Sequence, residues 1–184
     1  MPAETNSLRG NLLVSSGGLF DPNFRHTVVL LGEHNAEGAL GVVLNRALDV
    51  EAKDAVPDLA DLVPPRDPVF QGGPVQPEGV VLLADFDSEG AADMPVLQTI
   101  GFVIGKIAPG TREAIVRARV FAGYAGWGPG QLEAELEQDS WIVTPALPDD
   151  VFTDNPELLW SRVLQRMGPE YLRLSRMPFD PSMN

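Results

Sequence analysis

The 184-residue chain has no cysteine, which excludes disulfides, thiolate metal sites and cysteine nucleophiles. Histidine is almost as scarce, with His26 and His34 the two in the chain. At the rise of a β-strand they stand about 26 Å apart, too far for a shared metal or a single acid–base pair. Each lies near a carboxylate (Asp21 and Glu33), and each is expected to be a polar residue that steadies a turn. No apolar run reaches the roughly 18 residues that a membrane helix needs. Residues 1–11 are polar and lack the apolar stretch of a secretion signal. A soluble, cytoplasmic protein with no membrane partner is therefore expected.

Positive charge is also short, with 13 Lys and Arg against 26 Asp and Glu and a net charge of −13. Duplex binding draws most of its affinity from cations on phosphates, so direct nucleic-acid binding is not expected. One basic stretch stands out near the C-terminus, where Arg162, Arg166, Arg173 and Arg176 outnumber Glu157 and Glu170. A solvated, ion-paired helix face is the simpler account of it.

What the chain does contain is concentrated in Phe121–Glu133, where four glycines, Tyr124, Trp127 and Pro129 precede Leu132 and Leu136 at helical spacing. The pattern predicts a strand up to Tyr124, a tight corner, and a helix over 131–138. Upstream, 12–14 and 27–31 read as strands, and 27–44 as a β-hairpin turning at Asn35–Gly38. Both hairpin arms are nearly continuously apolar, which predicts burial on both faces. Short helical turns are expected at 52–56 and 58–62, broken by Pro57. Strands follow at 69–70, 79–84, within 95–107, at 116–124 and at 141–143. A short helix is expected at 109–115. The last long helix is expected to be capped by Asp154 or Asn155, with Leu158, Leu159, Val163, Leu164 and Met167 on its apolar side. The fold class is mixed α/β (α+β): one domain over 1–184, its largely antiparallel sheet curled and packed by helices.

Candidate chemistry is sparse. The corner before the helix offers Tyr124, Trp127, Gly128, Gly130 and Gln131 as a contact for an anion or other ligand, since helix N-termini present free amides. Pro129 removes one amide, and no phosphate-loop or dinucleotide pattern is present. The alternative is structural, with glycines allowing close packing and the aromatics burying area. Asp85, Asp87, Glu89 and Gly90 imitate the first half of a calcium loop, but its twelfth position is Val96 where a bidentate Glu is required. No metal site, cofactor or catalytic residue is assigned. Glu133 at the helix start suits the helix dipole. A recognition surface for an unidentified protein or small-molecule partner is expected where polar residues bound the hairpin: Asn23, Arg25, Glu33, His34, Asn45 and Arg46.

Several blocks in order along the chain resemble the YqgE/AlgH family of bacterial proteins. They are Gly10-Asn-Leu-Leu13, Asp21-Pro-Asn-Phe24, Thr27-Val-Val29, Glu33-His34 and Gly38-Ala39. Gly41 to Arg46, Gly72-Gly-Pro-Val75, Gly123 to Glu133, Leu159-Trp160, Leu164, Gly168 and Asp180 to Asn184 complete the match. Two departures stand out. Ala47 follows Asn45-Arg46 where the family often has proline, and Leu83 stands near the place of a histidine that many members carry. A role resting on that histidine is not carried over. The resemblance implies a compact cytoplasmic α/β domain, a name as a transcriptional regulator, and no established activity or cofactor. Any regulation is expected to be indirect.

Overall fold

A computed structural model describes residues 6–16 and 25–178. Among these residues there are ten strands. β1 (Asn11–Ser15), β2 (Val28–Asn35), β3 (Gly38–Val43) and β4 (Ala47–Glu51) lead into a short helix α1 (Ala52–Ala55) and a 3-10 turn (Pro57–Leu59). β5 (Pro68–Gln71), β6 (Val75–Phe86), β7 (Met94–Leu97) and β8 (Ile100–Val103) precede helix α2 (Pro109–Ala114). The long β9 (Ile115–Trp127) feeds α3 (Gln131–Glu137), and β10 (Trp141–Pro145) follows. α4 (Pro148–Val151), α5 (Pro156–Met167), a 3-10 turn (Pro169–Tyr171) and α6 (Leu172–Ser175) come next.

The sheet order is β10-β1-β2-β3-β9-β6-β8-β7, with β5 joining β4 to β9. All of these pairings are antiparallel except β5 with β9. The sheet curls until β7 comes back beside β2, with no ladder between them among the described residues. Side chains alternate across it as strand geometry demands. Leu12, Val14, Val28, Leu30, Val42, Leu83, Ile100, Phe102 and Phe121 belong to an inner cluster. Leu13, Val29, Leu31, Ala125 and Trp127 pack outside it with Leu132 of α3 and Trp141. Leu82, Ala84, Ala118 and Val120 form a further outer cluster with Ala52, Leu62 and Val63. Covering on both sides is why the strands read as unbroken apolar runs.

The end of the curled sheet nearest Val28 is stoppered by α5, whose Leu159, Trp160, Val163 and Leu164 enter the inner cluster. The Trp160 indole N–H donates to the Ser15 carbonyl at 3.0 Å. Leu158, expected on that stripe, is exposed, and Trp160 takes the place, because residues 159, 160, 163 and 164 share one face at 3.6 residues per turn. The expected cap holds in position only. Asn155 occupies the N-cap position without a side-chain hydrogen bond to the helix, and Pro156 opens it.

β9 runs three residues beyond the expected end at Tyr124. Gly123, at φ +73°, lets the strand bend and continue to Trp127, where Ala39–Gly41 of β3 pairs with it. Gly73 lies so close to this bend that a Cβ there would sit 2.2 Å from the Tyr124 carbonyl. The glycines here serve a backbone crossing, and the corner itself is Gly128-Pro129-Gly130. Sequence inspection also missed β4, whose alternation Leu48-Asp49-Val50-Glu51 is short and sits in an acidic stretch, and whose residues are mostly exposed.

Candidate functional site: the open mouth of the curled sheet

Among the described residues, the end of the curled sheet opposite α5 is open. Gly32 of β2, Leu40 to Val42 of β3, Val80 and Val81 of β6, Phe102 of β8, Ile104 and Tyr124 surround a concavity of about 250 Å³. Its rim is apolar and wet: Leu40 is 37% exposed, Val80 54% and Ile104 62%. The period-two run Ile100, Phe102, Ile104 carries the inner stripe past the end of β8 and out to this rim.

Gly32 sits at a β-bulge, where the β2–β3 register shifts between Leu31 and Glu33. A Cβ on it would lie 2.4 Å from the Phe102 ring, so glycine admits the ring that crosses the seam between β8 and β2. Gly32 and Met94 also border a second, polar bay of about 480 Å³, lined by Ser7, Arg9, Glu33, His34 and Asn35. Glu33 accepts a 3.2 Å hydrogen bond from Asn35 Nδ2.

His34 is buried and fully engaged. Its Nδ1 accepts from the Leu8 amide at 3.0 Å, which leaves the proton on Nε2 to donate to Glu133 Oε1 at 2.7 Å. The Glu133 carboxyl is held below its ordinary range, first by that hydrogen bond and then by its own backbone amide. His34 thus ties β2 to α3, a partner 99 residues away that local sequence could not indicate.

The other polar residues expected around the hairpin divide between its two ends. Glu33 and His34 lie near the tip. Asn45 and Arg46 follow β3 at the base, where Asn45 Oδ1 accepts from the Val28 amide and its Nδ2 donates to the His26 carbonyl. Arg46 Nη2 donates to the Arg25 carbonyl at 3.2 Å. The expected single cluster is therefore not what forms, because strand length separates the two groups. Asn23 lies outside the described residues. His26 stacks on Trp160 with ring centroids 3.8 Å apart, and burial, aided by Arg25, pushes its pKa below the usual 6.5.

At the corner before α3, Gly128 donates its amide to Gln131 Oε1 at 3.0 Å, and Gly130 is the N-cap at φ +75°. Trp127 is buried, its indole N–H donating to Glu135 Oε2 at 2.6 Å and its ring meeting Trp141 edge-on. Tyr124 instead lines the mouth. Among the basic C-terminal residues, Arg166 makes a two-pronged pair with Asp150 at 2.8 and 3.0 Å. Asp85 of the calcium-like stretch is bound by Thr99 Oγ1 at 2.6 Å and by Arg117. Among the described residues no group of three His, Asp or Glu could hold a metal, and no helix is long and apolar enough to cross a membrane.

Sequence reasoning missed the mouth and also the most enclosed charge among the described residues. Arg119, 3% exposed on β9, holds both oxygens of Asp67 at 3.1 and 2.9 Å. Its Nη1 donates to the carbonyls of Val151 and Thr153, and its guanidinium lies 4.6 Å from the Phe70 ring centre. Every arm of this cation is used within the fold.

The chain is 43% identical to a UPF0301 protein of Streptomyces avermitilis, covering 98% of this chain and 97% of that one. It is 36% identical to a UPF0301 protein of Chlorobaculum tepidum, covering 95% of each. The crystal structure of a protein from Corynebacterium diphtheriae superposes with a TM-score of 0.81 at 28% identity, over 91% of each chain. The solution structure of the AlgH protein from Pseudomonas aeruginosa gives 0.70 at 30% identity, over 97% of this chain and 96% of that one. The AlgH-like family model (DUF179) matches residues 12–172, and the chain belongs to that family.

Proposed function

We propose that this protein is a non-enzymatic binding module, cytoplasmic and regulatory only indirectly, whose recognition surface is the open mouth of the curled sheet. One observation carries the reading: a concavity of about 250 Å³ opens where Leu40, Val80 and Ile104 leave apolar surface in water. Concave apolar sites at the mouths of curled sheets are where small ligands bury most of their surface. Around the mouth, the histidine and the helix corner are spent on internal hydrogen bonds, and Glu33 and Arg9 remain at its polar side. A binding role needs no more than this.

The test uses the full chain and anilinonaphthalene sulfonate, a dye that fluoresces in apolar sites. Wild type should bind it saturably, one per chain, and a Val80→Glu/Ile104→Glu variant should lose that signal while keeping its Tm. Both positions are exposed, so the charges do not enter the core. Equal binding by both proteins, or none by either, would overturn the reading.

A further inference from the structure

Resting on that reading of the mouth, we propose that the mouth and the polar bay beside it form one site for a free apolar α-amino acid. The side chain enters the mouth, the carboxylate meets Arg9 and the ammonium meets Glu33. Three observations converge on this ligand. First, the two concavities are contiguous, sharing Gly32 and Met94 along the seam where the Phe102 ring lies over Gly32. Second, the mouth has room for roughly eight groups the size of a water molecule. That suits the four carbons of a leucine side chain or the seven of a phenylalanine, and Val81, Phe102 and Tyr124 supply matching walls.

Third, the bay carries one cation and one carboxylate that leave each other unpaired. Among the described residues, Arg9 is the sole Lys or Arg lining either concavity, and its guanidinium has no partner there. Glu33 has Asn35 on Oε1 and a second oxygen available. His34 has both ring nitrogens engaged inside the fold and offers neither to a ligand. A simple fatty carboxylate would satisfy Arg9 but face Glu33, and an alkyl amine would do the reverse. A zwitterion with an apolar tail answers both. Charge-assisted hydrogen bonds at each end fix its orientation.

The experiment is titration of the full-length protein with L-leucine and L-phenylalanine, followed by backbone amide NMR, beside octanoate, octylamine and L-phenylalanine amide. Saturable shifts at Gly32, Phe102 and Ile104 are expected with the two amino acids. Arg9→Gln, at an exposed position, and Glu33→Gln, at a half-buried one, should each weaken binding about tenfold or more, as loss of a charged hydrogen bond does. The amide, which lacks the carboxylate, should bind wild type no better than L-phenylalanine binds Arg9→Gln. If octanoate or octylamine binds the mouth as tightly as the amino acids, or neither substitution weakens them, the mouth remains a binding site and the amino-acid assignment falls. If no probe moves the mouth resonances, both readings fall.

Discussion

At the scale of single residues, the charges in this protein sort by whether the fold has already used them. Arg119 and Asp67 are almost fully enclosed, with side chains 4% and 8% exposed, and each satisfies the other. Removing one partner strands a buried charge, which typically costs about 3–5 kcal/mol. Asp67→Ala is therefore expected to lose stability on that scale, read from the urea midpoint, while Arg119 keeps its bonds to Val151 and Thr153. A loss below about 1 kcal/mol would place the pair among ordinary surface ion pairs. Arg9 sits at the other extreme, exposed and uncommitted, and only its setting beside an apolar mouth gives it meaning. None of this sorting is visible in a sequence. Asp67 and Arg119 lie 52 positions apart, and nothing local marks either as buried.

At the scale of elements, the strands were largely legible because apolar alternation and turn residues are local signals. The β2–β3 hairpin, the 52–62 excursion broken by Pro57, and α3 after the glycine-rich corner all follow from residues near them in the chain. The misread boundary of β9 has a different cause. Glycines at 72, 73 and 123 look like turns but permit two backbones to cross. Their roles separate by experiment. Gly73 stands at φ +157°, and a methyl added there would lie 2.2 Å from the Tyr124 carbonyl, whereas Gly90, at φ +83°, has nothing within 4 Å. Gly90→Ala should cost about 1–2 kcal/mol from backbone strain alone. Gly73→Ala should cost a further 1–3 kcal/mol or so from overlap. Thermal unfolding of the two variants reads the difference, and equal Tm values would contradict the crossing. The candidate site was less legible than the strands, since its lining comes from six strands and the stretch after β8.

At the scale of the whole molecule, one long strand holds the architecture together. β9 pairs with β3, β5 and β6, so the strands on either side of the curl depend on it. Among the described residues the curl is not zipped by a ladder between β7 and β2, where Gly10 approaches the Val96 carbonyl and the Phe102 ring lies over Gly32. Without a ladder there, β7 amides should exchange with deuterium at lower free energy than those of β2, which is paired on both sides. Equal protection would mean that the join is as firm as the rest. Because Met94 and Gly32 border both concavities, the width of this join sets the aperture of the mouth. A lumen gated there by side-chain packing can widen or narrow as β7 tilts away from β2 with its ladder to β8 kept, since among the described residues no hydrogen-bond ladder crosses that join.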